Sequence, residues 1–397
     1  VTVQTPGPGP TAPPFRRISL RGPAGMRQRL RPLGLLAPAE GGLPYWVEDA
    51  AYVVPRAMAE RLLQTAARLH ALCLQAIGTE LQGGDPERFG IQEAGMRQAV
   101  LQSWQAQDSP LYGRMDFSFS AAGEPVLLDY EADGPLGLAE ASYLQWEWFE
   151  AAQAASLTER GDDQENLLYE KLLALLPRLG LGPDFAIAHG GGAVGAERTD
   201  AEYLASLARE AGLPARLCEI GALGWDREAL CFTDDQDRPL SGLLKLYPWL
   251  WMEQEPNAEA LPQSRTRILP AAWTRLLSDK ALLARLWQQA PGTPGLLPAW
   301  LEGEAPAEPG LALVAKPCRG DDGEGVTGPD EPPDHRHGPL LRQGWCPPPR
   351  FETGQGSVHA GVSVWLVGGE PAGLSFRESR SWRSDATARF VPHILRG

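Results

Sequence analysis

The chain has 397 residues, 43% of them hydrophobic and 22% charged, with a formal net charge of -14. That length can bury a large core and divides into two or three domains, and the acidic balance excludes nucleic-acid binding, which needs a basic footprint. No apolar run reaches the length of a membrane span, and five scattered cysteines without CxxC spacing, behind an N-terminus with no signal-peptide pattern, read as reduced thiols in a cytoplasmic protein.

In chain order, "VTVQTPGPGPTAPP" (1–14) reads as a disordered leader. Residues from about Pro55 to Leu81 carry apolar side chains at helical spacing, with Pro near the first turn. Next come two strands, "RMDFSFS" and "VLLDYEAD", joined by a short link containing Gly123. Alternation puts Met115, Phe117 and Phe119 on one face and Arg114, Asp116 and Ser118 on the other. In the second strand it groups Val126, Leu128 and Tyr130 against Leu127, Asp129, Glu131 and Asp133. Pairing Ser120 with Pro125 sets Asp116 opposite Asp129, and Arg114 opposite Glu131. Like charges across a sheet destabilise it, and carboxylates are depleted in strands. A solvated face is the bland explanation. Opposed acids with no lysine beside them favour a Mg²⁺ site instead, because hard divalent cations take clustered oxygens.

A helix over about 138–155 follows, its aromatics Trp146, Trp148 and Phe149 read as core. "DFAIAH", "DAEYLASLAREAG" and "ARLCEI" then make a strand–helix–strand unit of an open α/β layer. Its loop "GGGAVG" matches GxGxxG, but "AERTD" is expected to intervene before the helix, so the glycines would not open it as dinucleotide binding requires. A helix pair is expected over 269–290. "LALVAK" is a buried strand leading into a Gly-rich loop, and "PLLRQGW" and "VSVWLVGGEPAGLSF" add further strands, the latter turning at Gly368–Gly369. Only four of the 36 basic residues are lysines. Lys171 lies on an amphipathic helix and reads as surface. Lys245, Lys280 and Lys316 sit at the ends or starts of elements, where a flexible ammonium suits a ligand cleft. A strand ending in lysine before a flexible glycine loop can hold a nucleotide's phosphates, and GxxxxGK[ST] is absent.

The stretches "GRMDFSFS", "LLDYEADGPLGLAEASYLQWEW", "KLYPWLWM", "SDKALLARLWQQAPGTPGLLPAW", "VAKP", "WLVGGEPAGLSFRES" and "ARFVPH", spread over 113–393, make the chain similar to the glutathionylspermidine synthase family, in its stand-alone synthetase-like branch. The resemblance implies an α/β (α+β) protein with a circularly permuted ATP-grasp fold and an inserted open α/β layer. The implied organisation is N-terminal helices plus the metal-site half over 15–160, the open α/β layer over 161–250, and the nucleotide lid with return strands over 251–397. It implies an ATP- and Mg²⁺-dependent ligase that joins a carboxylate to an amine, a polyamine among the candidates, through an acyl phosphate. By position, Asp116, Asp129 and Glu131 align with metal ligands, and Arg114 with an arginine that stabilises the transferring phosphoryl group. Arg377 is a second candidate for that role and Arg389 a third. Lys280 and Lys316 align with phosphate lysines, Gly320, Gly323 and Gly325 with the glycine loop, and Gln343 with the adenine-reading hinge.

Three departures stand out. Glu131 replaces the family's usual amide, Gly134 and Leu136 replace hydroxyl residues, and Asp321-Asp322 puts two acids where phosphates should be covered. These keep a second reading open: a nucleotide- or peptide-binding relative without ligase activity.

Overall fold

The computed structural model describes residues 13–36, 43–83, 86–190, 195–304, 311–320 and 323–397; most of the leader and the Asp321-Asp322 pair lie outside them. The hairpin read from the sequence is formed by Tyr112–Phe119 and Pro125–Glu131. It is one edge of a six-stranded antiparallel sheet continued by Gly356–Val367, Glu370–Ser379 and Arg389–Val391, with Arg350–Thr353 pairing beside Gly356–Val367.

The register corrects the sequence reading at the turn and confirms it at the acids. Phe119, not Ser120, pairs with Pro125, around a loop closed by Ser120 N donating to Glu124 O. A bulge then leaves Leu128 without a partner and restores Asp116 opposite Asp129 and Arg114 opposite Glu131. The extra residue also swaps the faces of the strand before it. Leu127 joins Tyr130, Met115, Phe117 and Phe119 in the main core, whereas Val126 and Leu128 pack with Leu297 and Cys346. Each fully buried Phe or Met stabilises by about 1.5–3 kcal/mol, so alternation decides the inward face before any polar group is considered.

The long helix Arg56–Gln82 covers that face with Leu62, Ala66, Leu69, Cys73, Ala76 and Ile77, all buried. Its His70 meets the Tyr130 hydroxyl at 2.9 Å. The next helical segment begins at Leu138, passes through a π-helical turn, Glu140–Leu144, and continues as Gln145–Ala154. Trp148 and Phe149 are buried as expected, but Trp146 is 39% exposed because it falls on the outward side.

The α/β layer is a four-stranded parallel sheet in the order Arg267–Leu269, Gly242–Lys245, Phe185–His189, Arg216–Glu219. Helix Ala196–Glu210 joins the last two. That helix starts directly after Gly195, so the expected "AERTD" spacer is itself helical. The Glu197 carboxylate accepts a hydrogen bond from Gly190 N. An acid at this helix start, where a pyrophosphate would need to sit, is the physical objection to dinucleotide binding. A three-stranded sheet, Ala299–Leu301, Leu340–Gly344 and Leu313–Pro317, packs by the hairpin's outer edge. There Gly295 O accepts from Leu127 N at 2.8 Å and the buried Gln343 Nε2 donates to Leu127 O at 3.1 Å, so an otherwise bare strand edge is satisfied. Among the described residues, no helix is long and apolar enough to cross a membrane.

Burial pulls His70 down to about 4 and His393 to about 3. A histidine held neutral in the fold but protonated when unfolded stabilises fully above the ordinary value near 6.5 and loses that contribution as pH falls toward the folded value. For His70 the loss is about 3 kcal/mol by pH 4. Thermal unfolding followed from pH 7.5 to 4.5 should show a falling midpoint below about pH 6.5, with a shallower fall in H70F; equal slopes would contradict this account.

Candidate active site

The polar side of the hairpin is a short grid of alternating charge. Arg114 and Asp116 are two apart on one strand, so their side chains share a face. Arg114 Nε and Nη2 donate to Asp116 Oδ1 and Oδ2 at 3.0 and 3.1 Å, a bidentate pair. Nη1 of the same guanidinium donates to Leu136 O at 3.1 Å, and the group lies 5.9 Å from the centre of the Trp365 ring. Burial works against its charge, but Asp116, by field and by hydrogen bond, holds Arg114 above its ordinary value. Ser363, in register with Asp116 on the next strand, donates to Asp116 Oδ1 at 2.7 Å.

Asp129, across from Asp116, is met by Lys280 Nζ at 3.1 Å from its Oδ2. Lys280 stands at the start of helix Ala281–Gln289; its backbone N donates to Cys318 O at 2.9 Å and its ammonium to Gly320 O at 3.0 Å. Lys316 Nζ donates at 2.8 Å to Leu128 O, the carbonyl of the bulged residue. Burial pulls Lys316 down to about 8, opposed by Asp129 and reinforced by Lys280. The bulge thus does two things at once: it aligns the acids and supplies an acceptor for the second lysine. Glu131 Oε1 accepts from Ser278 Oγ at 2.5 Å and from Asp133 N at 2.8 Å.

The glycine loop begins at Gly320. Gly323 and Gly325 have φ of 73° and 68°, and a Cβ would sit 2.3 Å from Ser384 O at the first and 2.8 Å from Pro317 and His337 at the second. Both positions therefore demand glycine. Gln343, expected at the adenine hinge, has its amide nitrogen on Leu127 O. Arg377 pairs in register with Gly361 and Phe390, two residues along its strand from the Ser375–Ser363–Asp116 row, and its charge acts on the buried Glu140 and the part-buried Tyr45. Arg389 is elsewhere: with Arg17 and the Tyr52 hydroxyl it surrounds the buried Glu378, beside a cavity of about 410 Å³ also lined by Asp49 and Arg380.

The structure therefore brings Arg114, Asp116, Asp129, Lys280 and Lys316 together, with Glu131 one row along. Among the described residues, no group of three or more acid, histidine or cysteine side chains is poised as a metal cage. The donors present still suit Mg²⁺, which keeps several waters and takes one or two carboxylates plus substrate phosphates. Asp116 and Asp129 are such a facing pair of oxygen donors, each part-exposed, with ammonium groups beside them for phosphate.

Sequence reasoning missed the partner of Asp133. Lys245, wholly buried at the end of Gly242–Lys245, donates to Asp133 Oδ1 at 2.7 Å and to Tyr247 O at 2.8 Å, over the Trp249 ring at 4.3 Å. Trp249 N donates to the other Asp133 oxygen. Burial pushes Asp133 up and Lys245 down, each offset by the other. Both residues stood out in the sequence, one among clustered acids and one among four lysines, yet 112 positions separate them. Ser278, Ser363 and Asp200 carry no such signal.

The folded chain superposes on a glutathione synthetase-like effector from Globodera pallida with a TM-score of 0.56 at 10% identity, over 87% of this chain and 89% of that one; the fold is of the glutathione synthetase-like, ATP-grasp type. The family model described as "Glutathionylspermidine synthase preATP-grasp" matches residues 17–396. A relative from Haemophilus influenzae (strain Rd), named "Putative acid--amine ligase", is 30% identical over 375 residues, covering 90% of this chain and 93% of that one. The chain belongs to the glutathionylspermidine synthase family.

Removing one partner of a buried ion pair strands the other's charge, at a cost of about 3–5 kcal/mol. K245M should therefore lower the urea midpoint steeply, and K245M/D133N should recover part of the loss. A double variant no better than the sum of the singles would show that the two residues are not a pair.

Proposed function

We propose that the protein is an ATP-dependent carboxylate–amine ligase. One observation carries the reading: Arg114 and Lys280 pair with the facing carboxylates Asp116 and Asp129, and Lys316 reaches the Leu128 carbonyl beside them. Family membership and the acid–amine ligase name of the Haemophilus influenzae relative support it. Mg²⁺ held by Asp116 and Asp129, with Glu131 adjoining, would neutralise developing phosphoryl charge.

In the reaction proposed, a substrate carboxylate oxygen attacks the γ-phosphorus of ATP, releasing ADP and leaving an acyl phosphate. The amine nitrogen then attacks the acyl carbon; phosphate departs, and the amine proton is released. Lys280 and Lys316 bind the nucleotide phosphates. Gly320, Gly323 and Gly325 let backbone N–H groups close over them. Arg114, held flat by its bidentate pairing, presents fixed positive charge to the transferring oxygens, where preorganised donors are worth most. Arg377 is assigned a supporting role on the same sheet face, and Gln343 stands at the proposed adenine hinge.

The acid and amine are of small-molecule or peptide type. Leu136, 42% exposed where the family usually has a hydroxyl residue, favours substrates that differ from glutathione and spermidine at that contact. The same substitution, with the acids Asp321-Asp322, favours the second reading of nucleotide binding without ligation.

A coupled ADP-release assay over acid and amine pairs tests the choice. Turnover with at least one pair is expected, falling about 100-fold or more in D116N and K316M, with K171A unchanged. Binding of Mg·ATP without ADP release from any pair would favour the second reading in its nucleotide-binding form, and no binding at all would dismiss the ligase and favour a peptide-binding relative.

A further inference from the structure

The turn that carries Leu136 is fastened at both ends by the α/β layer. At its start Asp133 is held by Lys245 and by Trp249 N. At its end the wholly buried Asp200 accepts hydrogen bonds from the backbone N–H groups of Gly137, Leu138 and Ala139, at 2.8, 3.3 and 2.7 Å. Between them, Gly134 and Gly137 reverse the chain with φ of 79° and 96°, and the Leu136 carbonyl points at Arg114 Nη1, 3.1 Å away.

A buried carboxylate is costly unless hydrogen-bonded, and an apolar residue of similar size would pack a helix at least as well. Asp200 is the fifth residue of helix Ala196–Glu210, so it does not cap its own helix. The N–H groups it binds are that of Gly137, at the end of the turn, and those of Leu138 and Ala139, which open the next helix, so Asp200 caps that helix from outside while fastening the turn. Its bonds therefore act on the geometry of 137–139 and, one residue away, on the carbonyl that orients Arg114.

We propose that Asp200 is a positioning residue for Arg114: by clamping the amides of 137–139 it fixes the Leu136 carbonyl, which holds the guanidinium in plane against Asp116 and aims it at the phosphoryl-transfer site. The inference rests on the ligase reading for what Arg114 does, though not for how it is held. The α/β layer thereby reaches the reaction centre through a single seven-residue turn.

The test uses the full chain. D200N replaces one acceptor oxygen by an amide donor at constant size, and G137A strains the turn, at φ of 96°, without touching Asp200. In D200N the amides of 137–139 should exchange about tenfold faster or more, while those of the 200s helix keep their protection. The Arg114 Nε–H resonance, identified by its loss in R114K, should shift or broaden in both D200N and G137A. Mg·ATP affinity by calorimetry should fall in D200N and in R114A, and the double variant should be no weaker than R114A alone, since residues acting through one group do not add. K171A should match the wild type.

An unchanged Arg114 resonance in D200N, retained protection at 137–139, or effects of D200N and R114A that multiply would each overturn the proposal. If R114A binds Mg·ATP as well as the wild type does, the reading of Arg114 in phosphoryl transfer fails, while the resonance and the exchange rates still decide whether Asp200 positions it.

Discussion

Two carboxylates face each other across a pair of β-strands, and much of the structure around them exists to make that tolerable. Asp116 and Asp129 occupy opposed positions at the edge of the six-stranded sheet, where like charges would push the strands apart. The repulsion is answered by cations: Arg114 from the same strand and Lys280 from a helix start pair with the acids, and Lys316 from the neighbouring three-stranded sheet reaches the Leu128 carbonyl beside Asp129. Each of these comes from a separate element, so forming the site requires the whole assembly to dock.

The bulge at Leu128 is the local device on which that site turns. Without it, the turn register set by Phe119 and Pro125 would slip the acids by one position and reverse their faces. With it, the strand keeps Leu127 in the core and Asp129 on the polar side, and the freed carbonyl at 128 receives Lys316. The edge strand's remaining groups are closed by Gly295 and Gln343. Strand edges invite unwanted pairing; here the edge is covered by the elements that deliver the lysines.

The α/β layer contributes through buried polar side chains. Lys245 and Asp200, both without solvent exposure, are directed at one turn of the hairpin's continuation. Buried pairs seldom stabilise more than an apolar replacement would, which is why their direction matters more than their number. Glu197 fits the same view: its carboxylate, at a helix start, takes the Gly190 amide. The family match across 17–396 is consistent with these parts forming one functional body.

Alternation and composition made a large share of this legible in advance. The inward faces of Met115, Phe117 and Phe119, the long helix and the strand–helix–strand unit follow from periods of 2 and 3.6 and from apolar burial, which are local properties; the opposition of Asp116 to Asp129 is read from a turn register one residue off and is restored by the bulge. The lysines could be singled out because there are only four. Tertiary structure alone decided the bulge that moves Val126 and Leu127 to opposite sides, the exposure of Trp146, the pairing of Lys245 with Asp133, the place of Arg389 beside Glu378, and the reach of Asp200 across 61 residues to the Ala139 amide. Those depend on which groups meet after the layers pack, and contact between residues distant in the chain is set by docking geometry, which no local period encodes.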